Sequence, residues 1–298
     1  MEFAAAGQER AYNDKHDSRL GNAVQKTMAG CSIGQPSTKN EGGMLLGKNH
    51  IRLDTEQQKG IYGRFRYLAD RYGRWEVWAD FITMSACSLC LSDRQQREEE
   101  YAGIVKKYKP DEVQRFAEMF ALTVKALEIN PNQDFLGDLF MRFDLGNTWK
   151  GQFFTPYNIC QCMASLTAGN LKSQLGQQPW VSVCDPAVGA GALMIAFAQE
   201  CVSQKINYQT NVLFVGQDVD RTAAMMGFVQ LSLLGCPGYV VVGDSLLHPL
   251  VGPSVLLPVQ QEGQDIWYTP MLFSDTWQLR IAAEKIKLMN ARKEGETS

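Results

Sequence analysis

Past residue 150, strand-like and helix-like runs alternate along the sequence, and this order limits the folds open to the chain. Mostly apolar runs of strand length lie at residues 180–184, 211–215 and 239–242, and helical runs at 192–201 and 221–234 separate them. Parallel neighbours in one sheet need such crossovers, and uninterrupted apolar strands suit a sheet that is covered on both faces. The pattern therefore predicts an α/β fold built on a parallel sheet.

The sequence before residue 150 changes in character along its length. Residues 1–58 are polar and have no sustained period, which predicts a disordered or extended arm. Residues 59–148 are predicted to form a helical domain, because apolar side chains recur there at steps of three and four residues. Within the remaining domain, 149–298, we expect a further strand at 254–259 and a closing helix at 275–292.

Charge and composition argue against several classes of protein. A net charge of −3 disfavours strong autonomous binding to nucleic acid, since phosphate neutralisation supplies most of the non-specific affinity. The sequence has no apolar run of membrane-spanning length and no apolar segment within its first ten residues, so we expect a cytoplasmic protein. Its 8 cysteines are expected to be reduced, and their spacing predicts no metal site.

Three segments that follow the predicted strands contain residues suited to binding a ligand. Residues 185–191, Asp-Pro-Ala-Val-Gly-Ala-Gly, let a ligand approach the backbone, and their acid suits an ammonium group better than a pyrophosphate. An acid in residues 216–220 can accept both hydroxyls of a ribose, and Asp244 in residues 243–246 can accept from an adenine amino group. Since ligands bind at the carboxyl ends of strands in such sheets, we expect the three segments to form one site.

Together with Gly-Gln-Phe-Phe-Thr-Pro at 151–156, these segments resemble the adenine-N6 DNA methyltransferases. The greatest similarity is to the modification subunits of type I restriction-modification systems, over roughly residues 134–247. The resemblance implies a doubly wound S-adenosylmethionine-dependent sheet, here truncated because few residues follow Asp244, with an N-terminal helical domain. It also implies methyl transfer to a flipped adenine, S-adenosylmethionine as cofactor, and DNA and a separate specificity subunit as partners.

The same resemblance assigns roles within the site. The cofactor's methionine moiety would lie against Thr155 and Pro156, and its amino-acid end against Asp185, Ala187, Gly189 and Gly191. Its ribose would lie against Asp218, and its adenine against Asp244 and Ser245. Local structure offers alternatives. Thr155 and Pro156 are good helix-capping residues, the glycines suit a plain tight turn, and Asp244 suits a loop cap. Asp220 is a second ribose candidate that could instead cap the helix from Arg221.

The catalytic motif of the family, Asn/Asp/Ser-Pro-Pro-aromatic, has no clear counterpart here. The sequence contains no Pro-Pro pair, and its nearest approximation is Tyr-Thr-Pro-Met-Leu-Phe at 268–273, with Thr269 and Pro270 as candidates. We therefore expect a DNA adenine-N6 methyltransferase, with two alternatives. One is a catalytically inactive relative that binds the cofactor or DNA, and the other is a methyltransferase with a different substrate.

Basic and aromatic residues interleave between Lys59 and Trp75. This composition suits phosphate contacts and base stacking, and it therefore marks a possible DNA-binding surface. An amphipathic helix with an arginine-rich outer face explains the same pattern, and we favour that interpretation.

Overall fold

A computed structural model of the protein describes residues 51–145 and 154–296, with side chains through residue 291. Most of the predicted arm, 1–58, and residues 151–153 of the Gly-Gln-Phe-Phe-Thr-Pro segment lie outside the described residues. The first described helix begins within the predicted arm, at Glu56. A capping box explains this boundary, because the Thr55 side chain accepts from the Gln58 amide and the Gln58 side chain accepts from the Thr55 amide.

Five helices make up the described part of the chain before residue 146, which is residues 51–145. They are α1 (Glu56–Tyr72), α2 (Arg74–Leu89), α3 (Arg94–Val105), α4 (Pro110–Ile129) and α5 (Phe135–Arg142). Helix α1 buries Ile61, Phe65 and Leu68, which follow the spacing of three and four residues expected for one helix face. Phe65 stacks on Phe143 and lies edge-on to Trp78, so an aromatic cluster joins α1, α2 and the end of α5. The predicted helical character of this region is confirmed.

The α/β part contains helices α6 (Tyr157–Thr167), α7 (Leu171–Leu175), α8 (Ala192–Ser203), α9 (Tyr208–Asn211), α10 (Arg221–Leu233) and α11 (Asp275–Glu296). Its strands are β1 (Val181–Asp185), β2 (Val212–Asp218), β3 (Gly238–Val242), β4 (Val251–Ser254), β5 (Leu257–Val259) and β6 (Asp265–Tyr268). The main sheet has the order β1-β2-β3-β6, with β1, β2 and β3 parallel. The predicted α/β class and its three parallel strands are confirmed.

The fourth strand of the sheet differs from the prediction. The segment 254–259 does not join the main sheet but contributes to a separate hairpin of β4 and β5, which is largely exposed. Proline lacks the amide hydrogen that a central strand donates, and Pro253 and Pro258 lie in these two strands. The fourth position belongs to β6, which pairs antiparallel with β3.

Alternate residues of the strands supply two cores, one on each face of the sheet. One core contains Phe214, Val240 and Trp267 together with the helical region, and the other contains Tyr239 and Val241. Helix α10 packs between the sheet and helix α2, so the helical region and the sheet share a core. The division at residue 148 stays a prediction. No helix in the described part of the chain is both long and apolar enough to cross a bilayer.

Candidate functional site

The loop after β1 has the backbone geometry that its glycines predict. Gly189 and Gly191 have φ values of 52° and 90°, in the left-handed region that favours glycine. A Cβ atom added at Gly227 of α10 would lie 2.9 Å from the Gly189 carbonyl oxygen, so the loop rests directly on this helix. Asp185 lies at the start of the loop and accepts a hydrogen bond of 3.0 Å from the Ala187 amide.

Asp218, at the end of β2, binds the loop that follows β1. One of its oxygens, Oδ2, accepts from the Gly189 amide at 2.8 Å, and the other, Oδ1, accepts from the Asp220 amide at 2.9 Å. The structure therefore brings the first two predicted segments together at the carboxyl edge of the parallel strands. Asp220 accepts from the Ala223 amide and caps α10, as its alternative interpretation predicts.

Burial sets the charge properties of these two acids. Asp185 and Asp218 are both half-buried, and burial raises the pKa of each carboxyl above its ordinary value. Backbone amides donate hydrogen bonds to both carboxyls, and these bonds oppose the shift only in part. The edge thus holds two carboxylates that a cation or hydroxyl donors would stabilise.

Asp244 lies at the same edge, after β3. Its Oδ1 accepts from the amides of Leu246 and Leu247 at 2.8 and 3.0 Å, and these bonds lower the pKa of the carboxyl. The loop-cap interpretation of Asp244 therefore matches the structure. Within the described ranges no hydrogen bond reaches the other carboxylate oxygen, Oδ2, and Ser245 beside it is half-exposed.

The segment before α6 lies against the glycine loop. A Cβ atom added at Gly189 would lie 3.0 Å from the ring of Phe154, which also packs on Phe140. Thr155 and Pro156 are exposed beyond this contact. Helix α6 begins at Tyr157, and the residue before it makes no side-chain cap, so Pro156 is not the first helical residue as the capping alternative expects.

Thr269 and Pro270, the catalytic candidates from the sequence, lie away from this edge. The Thr269 side chain is buried, and its Oγ1 donates to the Cys236 carbonyl at 2.7 Å and accepts from the Gly238 amide at 2.9 Å. These partners lie at the amino end of β3, whereas Asp244 follows its carboxyl end. The cause is the antiparallel direction of β6, which carries the chain to the opposite edge.

A buried glutamine, which the sequence reasoning missed, connects the glycine loop to α5. The Gln230 side chain is fully buried, and its Nε2 donates to the Ala190 carbonyl and to Asp134 Oδ1, both at 2.8 Å. Its Oε1 accepts from the Leu136 amide. Burial raises the pKa of Asp134, which caps α5. The one sequence feature that indicates this residue is that Gln230 is a polar side chain within the apolar run at 221–234.

Two arginines of α1 have acidic partners. Arg64 pairs with Glu118 at 2.5 Å, and Arg71 pairs with the buried Glu112 at 2.6 Å. These contacts favour the amphipathic-helix interpretation of the segment Lys59–Trp75 over a DNA-binding surface. Seven cysteines in the described ranges are free thiols, and no group of metal-ligating side chains within those ranges has the geometry to hold a metal ion.

Comparisons with known proteins bear on these observations. The sequence model of the N-6 DNA methylase family matches residues 132–295. A solved structure from Listeria monocytogenes, assigned as a class I S-adenosylmethionine-dependent methyltransferase, shares 17% identity with this chain at a TM-score of 0.37. That alignment covers 74% of this chain and 69% of the other. The comparison with curated proteins gives no match.

Proposed function

Because the chain belongs to the N-6 DNA methylase family, we propose that it holds S-adenosylmethionine at the carboxyl edge of β1–β3 for transfer of its methyl group to the N6 of adenine in DNA. The resemblance that the sequence predicts is confirmed at the level of the family, whose cofactor is S-adenosylmethionine. When bound, this cofactor supplies an electrophilic methyl group on a sulfonium centre. The observation that carries the proposal is the pair of hydrogen bonds that Asp218 accepts from Gly189 and Asp220.

The donors and acceptors at this edge fit the cofactor. Asp185 is a half-buried carboxylate with one amide partner, so it can accept from the ammonium of the amino-acid end beside Ala187, Gly189 and Gly191. Each oxygen of Asp218 accepts one amide hydrogen, and each retains a lone pair for a ribose hydroxyl. We assign the cofactor's adenine to the other oxygen of Asp244, Oδ2, and to the half-exposed Ser245.

Phe154 supports the proposed position of the methionine moiety. Its contact with Gly189 holds the start of α6 against the glycine loop, and Thr155 and Pro156 follow directly as exposed residues. We assign these two residues to the methionine moiety. Their exposure leaves room for a ligand on the outer side of the loop.

We propose that another chain supplies the part of the site that holds the adenine, which accepts the methyl group. The sequence has no Pro-Pro pair, and Thr269 and Pro270 lie at the opposite edge. We propose that DNA and a separate specificity subunit complete the site in a cytoplasmic restriction-modification system. The second candidate function, a cofactor-binding relative without transfer activity, is favoured by the same placement of Thr269.

Calorimetric titration of S-adenosylmethionine tests the cofactor site. We expect saturable binding by the wild type and an affinity loss of about ten-fold or more for Asp218→Asn, because a hydrogen bond to a charged group contributes about 1.5–3 kcal/mol. Asp70→Asn is the matched control, since Asp70 is an exposed acid of α1. Absence of binding by the folded wild type, or equal binding by Asp218→Asn, would refute the assignment.

Transfer of a labelled methyl group to DNA separates the two candidate functions. The assay compares the purified chain with the chain after addition of extract from cells that express its genomic neighbours. Transfer that appears only with the extract supports a shared acceptor site. Cofactor binding without transfer under either condition favours the inactive relative, and transfer by the purified chain alone contradicts the need for a second chain.

A further inference from the structure

Helix α11 carries apolar side chains on two opposite faces. One face packs on the protein, where Trp277 is buried, donates from Nε1 to the Gln209 carbonyl at 2.7 Å, and packs edge-on against Trp180. Ile281 continues this face, packed against the second core. Residues spaced by four lie on the same side of a helix, so these contacts fix the rotation of α11 on the body.

The other face of α11 is exposed. Leu279, Ile286 and Met289 keep 71%, 59% and 59% of their surface accessible, and Ala282 between them is also exposed. The four positions follow the three-and-four spacing of one continuous stripe. A helix that is apolar on one side only needs one neighbour, but a helix that is apolar on both sides indicates a second covering layer.

The charges beside the exposed stripe indicate what can cover it. Lys285 borders the stripe on one side and Lys287 on the other, and both side chains are exposed. The acid of this stretch, Glu284, is half-buried and lies toward the body of the protein. A second copy of α11 packed on this face would bring lysines against lysines in either orientation, which is unfavourable.

We propose that the stripe Leu279, Ala282, Ile286 and Met289 is a docking surface for an amphipathic helix of another protein, with an apolar seam flanked by acidic residues. The spacing of the stripe matches the knobs and holes of a helical partner, and the lysines complement glutamate or aspartate beside the seam. This surface is separate from the cofactor edge. The proposal therefore does not rest on methyl transfer or on cofactor binding.

Two designed peptides of about three heptads each test the proposal by fluorescence anisotropy. Both have leucine at the seam positions, and one has glutamate and the other lysine at the flanking positions. We expect the wild-type chain to bind the acidic peptide at least about ten-fold more tightly than the basic peptide. Binding should weaken at high salt, because the flanking contacts are exposed to solvent.

Variants distinguish peptide binding at the stripe from nonspecific hydrophobic binding elsewhere on the surface. Ile286→Glu should abolish binding of the acidic peptide, while Leu166→Glu, at a leucine of α6 that is 80% exposed, should leave it unchanged. Lys285→Glu together with Lys287→Glu should reverse the preference between the peptides. Because all these side chains are exposed, the thermal midpoint should stay close to that of the wild type.

Other occupants of the surface give different results, and each would overturn the proposal. A concentration-dependent dimer that Ile286→Glu disrupts would assign the surface to a second copy. Binding to phosphatidylserine vesicles that Ile286→Glu abolishes, with no preference between the peptides, would assign it to a membrane. Equal binding of both peptides, or no binding of either, would refute the proposal that the stripe binds an acidic amphipathic helix.

Discussion

Removal of the Arg97 side chain is expected to destabilise the protein strongly, because this buried guanidinium links α3 to the sheet. Arg97 is 2% exposed, donates to both oxygens of Asp265 at 3.0 and 2.6 Å, and lies 3.7 Å from the centre of the Trp267 ring. Arg221 donates to Asp265 and to Glu100 from the start of α10. The network therefore joins three elements that are distant in sequence.

The magnitude follows from what Arg97→Met leaves behind. Breaking a buried ion pair by removing one partner costs about 3–5 kcal/mol, and the lower end applies because Asp265 keeps its contacts with Arg221 and the Trp267 indole. At about 2–4 °C per kcal/mol for a chain of this size class, the thermal midpoint should fall by about 6–12 °C. Chemical denaturation of Arg97→Met measures the loss directly, and Arg66→Met on the exposed side of α1 is the control.

The pH dependence gives a second check on the same network. Burial raises the pKa of Asp265, but hydrogen bonds from Arg97 and Arg221 outweigh it and hold the pKa below its ordinary value. A depressed pKa stabilises the fold above the unfolded value of about 3.9, and this contribution disappears as the pH falls through the folded value. The difference between wild type and Arg97→Met should therefore shrink below about pH 4. A loss under about 1 kcal/mol at neutral pH, or a constant difference in acid, would refute the reasoning.

Three further changes test other parts of the structure. Gly227→Ala forces the glycine loop away from α10, so both the thermal midpoint and cofactor affinity should fall; unchanged affinity by calorimetry would contradict this. Thr269→Val removes a buried hydroxyl and should lower the free energy of unfolding by about 1–3 kcal/mol without changing cofactor affinity, and a selective loss of affinity would return Thr269 to the site. Burial raises the pKa values of Asp185 and Asp218, so both carboxyls should take up protons above the ordinary carboxyl value of about 4. Cofactor affinity should therefore begin to weaken as the pH falls toward about 4, and an affinity that stays constant down to about pH 4 would oppose their roles.

The sequence was sufficient to predict the parallel strands because each is a mostly apolar run and helical segments separate one run from the next. It was not sufficient for β6, because Asp265–Tyr268 becomes a strand through pairing with β3 rather than through its own alternation. The hairpin of β4 and β5 shows the reverse case. Its apolar residues suggested a main-sheet strand, but Pro253 and Pro258 suit a short exposed pair better.

Contacts between distant segments also limit how much of the candidate site can be predicted from the sequence. The segments at Asp185, Asp218 and Asp244 were predictable because each follows a strand of the same parallel sheet. The contact of Phe154 with Gly189 and the bridge from Gln230 to Ala190 depend on how helices pack on the loop. No local pattern encodes those distances, so only the folded structure reveals them.

The topology at β6 decides more about activity than the identity of any single residue there. Because β6 runs antiparallel to β3, the residues after it emerge at the amino edge of the sheet, whereas Asp185 and Asp218 lie at the carboxyl edge. Replacing Thr269 with asparagine would therefore add a hydrogen-bonding group at the edge opposite to the proposed cofactor site, and we expect no gain of methyl transfer from it. An acceptor group must instead approach the side of the sheet where Asp185 and Asp218 lie, which is why the proposed function includes a second chain.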